Sequence, residues 1–95
     1  MAFEWDETKC AVNFAKHSID FRHAIKIWND EYIDPYSERV VGKEQRATAV
    51  GTMLEGDRII VVVYVWRNGV RRIISARRAR RYEREDYQSI IGRGQ

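Results

Sequence analysis

Twelve consecutive residues, Arg71-Arg72-Ile73-Ile74-Ser75-Ala76-Arg77-Arg78-Ala79-Arg80-Arg81-Tyr82, carry the densest chemical potential of this chain. Each guanidinium is a planar fork of donors that matches phosphate oxygens and also stacks on bases. The run predicts a strand that passes into a helix, with Arg77 and Arg78 at the junction. Side chains alternate across a strand. With Ile74 turned to the helices, Arg72 shares its face, and Arg71, Ile73 and Ser75 take the other. Arg77, Arg81 and Arg84 then fall at i, i+4 and i+7 on one helix face. Sheet and helix arginines would converge on one groove. Such a groove fits metal-free cleavage of RNA: a 2′-hydroxyl attacks the adjacent phosphate, and fixed guanidinium groups stabilise the charge that builds on its oxygens. One proton must leave the 2′-hydroxyl and another must reach the 5′-oxygen. Tyr82, Tyr87 and Glu83 are the nearby candidates, with Lys16 and His17 available if the first helix folds back.

Plainer roles compete at each position. Tyr82 and Tyr87 fit core packing with the hydroxyl at the rim. Glu83 fits an intrahelical pair with Arg80 or Arg84. His17 suits the C-terminus of a helix, where positive charge complements the dipole, and His23 reads as solvated surface. Trp5 and Trp28 read as core anchors. Trp66, beside Arg67 at a hairpin, is the tryptophan placed to stack on a base. Other chemistries find no support: there is no GxGxxG, Walker A loop or GxSxG elbow. Two histidines and one cysteine, Cys10, form no zinc pattern, and Cys10 reads as a small core residue.

The 95 residues suit one domain with one modest core; 44% are hydrophobic and 33% charged. Net charge is only +3, but it is unevenly spread. Residues 1–66 hold 8 basic and 11 acidic side chains, whereas residues 67–95 hold nine arginines, no lysine and three acids. That asymmetry points to a polyanionic partner. No signal peptide or membrane-spanning run is visible, so the expected compartment is the cytoplasm. No cofactor is called for.

The chemistry needs a scaffold, and the pattern supplies one. Phe3-Glu4-Trp5 predicts a short strand, and Asp6 caps a helix from about Glu7 to Lys16, with Cys10, Ala11 and Phe14 inward. Asp20 caps a second helix of about two turns, with Phe21, Ala24, Ile25 and Trp28 in one apolar stripe. Tyr32–Tyr36 predicts an edge strand that tolerates Pro35, and Ser37–Glu44 a loop. Arg46–Met53, Ile59–Trp66 and Val70–Ala76 predict a meander, with turns at Glu55–Asp57 and Asn68-Gly69. The unbroken apolar run of Ile59–Trp66 suits a central strand covered on both faces. Arg77 to about Ile91 predicts the last helix, with Ala79, Tyr82, Tyr87, Ile90 and Ile91 on its apolar side, and 92–95 a frayed tail. The class is α+β: two N-terminal helices and one C-terminal helix on a small, mainly antiparallel sheet.

Two separated motifs resemble the BrnT toxin family. Trp5-Asp6-Glu7, Lys9, Asn13, Lys16 and His17 are similar to its N-terminal signature. Arg72-Ile73-Ile74-Ser75-Ala76-Arg77-Arg78-Ala79, then Glu83 and Tyr87, resemble its C-terminal one, and Arg46 and Gly51 fit its middle strand. The resemblance implies a RelE-like fold and a metal-independent endoribonuclease that inhibits translation. It also implies a cognate BrnA-like antitoxin of ribbon-helix-helix type. That antitoxin would neutralise the toxin, and the complex would repress its own operon through operator DNA. Ser18 departs from the family, which usually has glycine after Lys-His, a residue suited to a left-handed helix cap.

With that resemblance, Arg77, Arg78, Tyr82, Glu83, Lys16 and His17 are the catalytic candidates. Arg46, Arg71, Arg81, Trp66 and Arg67 are the RNA-binding ones. Alanine at Arg77 or Arg78 is expected to weaken cleavage without unfolding the domain. The rival expectation is a non-catalytic basic module that forms a DNA-binding repressor complex with its antitoxin.

Overall fold

The structure is a computed structural model that describes residues 1–54 and 58–92. The expected turn at Glu55–Asp57 and the tail residues Arg93–Gln95 lie outside the described residues. The elements run β1 (Phe3–Glu4), α1 (Glu7–His17), α2 (Phe21–Ala24), a 3-10 helix (Ile25–Asn29), β2 (Tyr32–Val41), β3 (Glu44–Met53), β4 (Arg58–Arg67), β5 (Val70–Arg78) and α3 (Arg81–Ile91). The class is α+β, as expected. The sheet order is β1-β5-β4-β3-β2, with β1 parallel to β5 and the other pairs antiparallel.

The helices cover both faces of the sheet. Cys10, Ile19, Phe21, Ala24, Ile27 and Trp28 pack on Ala47, Ala49, Ile60, Val62, Tyr64, Ile73 and Ala76. On the opposite face Ala79 and Tyr87 pack on Val50 and Val61. β4 lies between β5 and β3 and sends Ile60, Val62 and Tyr64 one way and Val61 the other. This is why its sequence is apolar without alternation. At the Asn68-Gly69 turn both residues adopt positive φ, 55° and 75°, the geometry a two-residue hairpin needs.

Both expected N-caps are present. The Asp6 carboxylate accepts from the amides of Thr8 (2.8 Å) and Lys9 (3.1 Å), and Asp20 accepts from Arg22 N at 2.8 Å. These amides hold both carboxyls below their ordinary value. Of the three residues expected to face inward on α1, Cys10 does so, while Ala11 and Phe14 are exposed. Asn13 is buried instead. Its side-chain amide donates to Ala76 O (2.9 Å) and Ile19 O (3.0 Å), and its Oδ1 accepts from Ala76 N (3.0 Å). Asn13 thus imitates a neighbouring strand at the outer edge of β5, satisfying backbone groups that would otherwise be buried unpaired.

Four further expectations are corrected. The second N-terminal helix is one α turn followed by the 3-10 segment, which buries Ile27 as well as Trp28. Ser37–Glu44 is not a loop: β2 continues to Val41 and turns through Gly42 at φ 62° into β3. Its outer half is polar because it is an edge strand exposed on both faces. Arg77 and Arg78 are the last residues of β5, paired with Val61 and Ile60, and α3 begins only at Arg81. Arg77 therefore shares no helix face with Arg81 and Arg84. Finally, the β4–β5 register shifts so that Tyr64 pairs with Ile73 and Val63 with Ser75, leaving Ile74 as an extra residue. A bulge of this kind re-aims side chains. Ile73 and Arg71 face the helices, and Ile74 and Ser75 line the groove on the other side.

Two small residues have local reasons. A Cβ on Gly51 would come within 2.7 Å of Ile27 Cβ, so glycine lets the 3-10 segment sit on β3. Ser18 caps α1 in the left-handed region, φ 59° and ψ 31°, with its amide on Phe14 O at 2.8 Å. That conformation costs a residue with a Cβ roughly 1–2 kcal/mol, against roughly 0.5–1 kcal/mol for ordering a glycine. Ser18→Gly is expected to stabilise the protein by about 0.5–1 kcal/mol in urea unfolding; a loss of stability would show that the cap carries no strain.

Candidate functional site

A groove of about 790 Å³ lies on the α3 side of the sheet. Tyr36, Ser37 and Arg39 of β2 form one wall, with Arg46 and Thr48 of β3 and Val63 of β4 as the floor. Ile74, Ser75 and Arg77 of β5 lead to the other wall, made by Arg80, Tyr82, Glu83 and Asp86. Four arginines thus converge from three separate parts of the chain. Among the described residues, Arg39 and Arg80 form no ion pair, and Arg46 meets only Glu44, at 3.8 Å. The Arg46 Nε is buried without a hydrogen-bond partner. The groove is therefore a place where guanidinium charge is gathered and largely unspent.

Arg77 differs from the other three. Its two terminal nitrogens donate to Glu83 Oε1 and Oε2 at 2.8 and 2.9 Å, a bidentate pair. Glu83 is 3% exposed, and its Oε1 also accepts from Arg80 N at 2.7 Å. This last bond closes the first turn of α3 and sets where the helix starts. Burial pushes the Glu83 carboxyl up, but Arg77 and the Arg80 amide outweigh it and hold the group below its ordinary value. The Glu83 hydrogen bonds raise the Arg77 guanidinium in turn. Glu83 does not pair with Arg80 or Arg84 side chains, as the spacing suggested; Arg84 instead donates to Ala79 O at 2.7 Å.

The groove hydroxyls come from both walls. The Tyr36 hydroxyl donates to Asp86 Oδ2 at 2.5 Å, and that hydrogen bond is the main reason its phenol is pushed up to about 12. Ser37 and Thr48 are bonded to each other at 2.7 Å. Tyr82 is 55% exposed, so it is not the core residue its helical spacing suggested. Tyr87 is buried, with its hydroxyl donating to Glu31 O at 2.9 Å.

Of the residues singled out by sequence, Arg46, Arg77, Tyr82 and Glu83 line the groove. Lys16 and His17 line a smaller depression that shares Ile74 and Ser75 with it, so α1 does fold back towards β5. The others are placed elsewhere. Arg71 is on the opposite face, paired with Asp34 at 2.9 Å and stacked among Trp28, Tyr64 and Trp66, the last at 4.3 Å. Trp66 is exposed beside it. Arg67 pairs with Glu44 at 3.1 Å. Arg78 ends β5 outside the groove lining, its carbonyl accepting from Arg77 at 3.1 Å. Arg81 is 88% exposed and pairs with Glu85. Sequence reasoning missed Tyr36, Arg39, Arg80 and Asp86. The first two fell in the stretch with the weakest pattern. Arg80 was one arginine among many, and Asp86 was an ordinary helical acid.

The fold and groove define a small α+β protein with a basic cleft, walled by hydroxyls, of a size and charge for a polyanion. The chain belongs to the BrnT family: the family model for the ribonuclease toxin, BrnT, of type II toxin–antitoxin systems matches residues 5–83. No curated protein matches the chain. Among the described residues, no helix is long and apolar enough to cross a membrane.

Proposed function

We propose that the arginine groove is the ribonuclease centre, and that this cytoplasmic single-domain toxin cleaves RNA by internal transesterification and so inhibits translation. The convergence of Arg39, Arg46, Arg77 and Arg80 beside the exposed Tyr82 carries the proposal. The 2′-oxygen forms a bond to phosphorus, the bond to the 5′-oxygen breaks, and the products carry a 2′,3′-cyclic phosphate and a 5′-hydroxyl. Charge peaks on the phosphorane oxygens, where preorganised guanidinium groups act most strongly. Arg46, with its unpartnered Nε, Arg39 and Arg80 hold the phosphate. Glu83 acts as a positioning residue: it fixes Arg77 and spends its own charge in doing so, which leaves proton transfer to Lys16 and His17, in the depression that adjoins the groove at Ile74 and Ser75. Arg77 engages both Glu83 oxygens, which leaves Asp86 as the one groove carboxylate with open acceptor sites among the described residues, a donor set that favours chemistry without a metal. A ribbon-helix-helix antitoxin would neutralise the toxin by covering this basic surface, and the complex would bind operator DNA through the antitoxin.

Incubation of free protein with labelled RNA in EDTA is expected to give cyclic-phosphate ends. Arg46→Ala should lower kcat/KM about 100-fold with the melting midpoint nearly unchanged. Undiminished cleavage by Arg46→Ala and by Arg80→Ala would place the chemistry elsewhere. RNA that is bound in a salt-sensitive manner but stays intact would favour a purely binding role.

A further inference from the structure

Asp86 is the anomaly of the groove. A carboxylate there opposes the phosphate that four arginines attract, so its presence asks for a partner other than phosphate. Among the described residues it forms no ion pair, and the Tyr36 hydroxyl engages only Oδ2. That bond ties Asp86 on α3 to the edge strand β2 and fixes the carboxylate in orientation. An ionised carboxylate has about four acceptor sites, so most of its capacity stays open. Tyr82 precedes Asp86 by four residues on α3, hence on the same helix face, and its ring is the exposed aromatic surface of the groove.

We propose that Tyr82 and Asp86 form a base-reading subsite, in which Tyr82 stacks on one nucleobase of the RNA and Asp86 accepts its N–H donors. Single-stranded RNA is read in this way, by aromatic stacking together with hydrogen bonds to the Watson–Crick edge. Guanine is the base that fits best, because its N1–H and exocyclic amino group are adjacent donors that a carboxylate can accept together. The Tyr36 hydroxyl serves as a positioning group for the acceptor. The subsite rests on the groove being the ribonuclease centre.

The test compares single-site oligoribonucleotides that differ only in carrying guanosine or inosine beside the scissile phosphate. Inosine keeps N1–H and lacks the amino group. Wild-type protein is expected to prefer guanosine about tenfold in kcat/KM, the effect of one hydrogen bond to a charged acceptor. In Asp86→Asn the preference falls to about one, and in Tyr36→Phe it falls partway, with folding checked by thermal unfolding. Tyr82→Leu raises KM for both oligonucleotides. A wild-type enzyme indifferent to the two bases, or an Asp86→Asn variant that keeps the preference, overturns the subsite. If Arg46→Ala slows cleavage in the same experiment while the preference survives in Asp86→Asn, the groove stands and the subsite alone fails. If Arg46→Ala and Arg80→Ala cleave at the wild-type rate, the groove itself is misassigned.

Discussion

Asp34→Ala is expected to lower the melting midpoint by roughly 15–25 °C, the largest effect of any single polar substitution in this protein. The Asp34 side chain is 3% exposed. It accepts from Trp28 Nε1 at 2.9 Å, from Arg71 Nη2 at 2.9 Å and from the Tyr64 hydroxyl. Alanine would orphan all three donors, and one of them is a guanidinium already 86% buried by the same measure. Removing one member of a buried pair costs about 3–5 kcal/mol, because the partner's charge stays behind without compensation. A domain of this size has a total stability of only about 5–14 kcal/mol. Replacing both partners with apolar residues of similar volume, Asp34→Leu with Arg71→Met, is expected to cost less than the two single changes together. Strict additivity in that cycle, or a midpoint shift below about 4 °C for Asp34→Ala, would refute the account.

The same cluster has an alkaline signature. Burial, then the bond to Asp34, pushes the Tyr64 phenol up from 10.0 to about 12. The folded state therefore holds this proton more tightly than the unfolded chain does. Its contribution to stability is complete below pH 10 and is lost as pH rises from about 10 to 12. In Asp34→Ala that alkaline loss should be smaller.

Glu83→Ala is expected to destabilise the protein by about 3 kcal/mol, from the loss of a largely buried ion pair and of the cap of α3. The Arg77 side chain is 24% exposed, so solvent softens the loss. Glu83→Gln keeps the shape and should cost about half as much. Because the folded-state carboxyl is held below the ordinary glutamate value of 4.5, its contribution is present above that pH and disappears as pH falls through the lower, folded-state value. Acid unfolding of wild type should steepen below pH 4.5 relative to Glu83→Gln. Superimposable acid limbs for the two proteins would show that the pair contributes nothing. The reciprocal change, Arg77→Ala, leaves Glu83 buried without its cation. The expectation that this substitution spares the fold is thus unsafe, and cleavage by Arg77→Ala has to be normalised to the folded fraction. Arg46 and Arg80, which have no buried counter-ion, separate chemistry from folding.

The amino-acid sequence by itself determined the elements whose signals are local. Asp6 and Asp20 mark helix starts because an N-cap needs only the amides two or three residues on. Asn68-Gly69 marks its hairpin because both residues accept positive φ, and the unbroken Ile59–Trp66 run marks a strand covered twice. The basic C-terminal third and the two separated motifs were enough to give the BrnT family. Tertiary structure decided which arginines share a groove. A one-residue bulge at Ile74 inverted the expected faces of Arg71, Ile73 and Ile74, left Ser75 on its expected face, and sent Arg71 to the aromatic side. A cap made by Glu83 delayed α3 to Arg81 and left Arg77 on the sheet. The pairing of β2 with β3 brought Tyr36 and Arg39, some 40 residues away in sequence, to face Arg77 and Asp86. Register, caps and long-range pairing are settled by contacts between distant segments, and no periodicity in a single stretch reports them. The arginine-rich third thus supplies only two of the groove's four guanidinium groups, Arg77 and Arg80; β2 and β3 provide the other two.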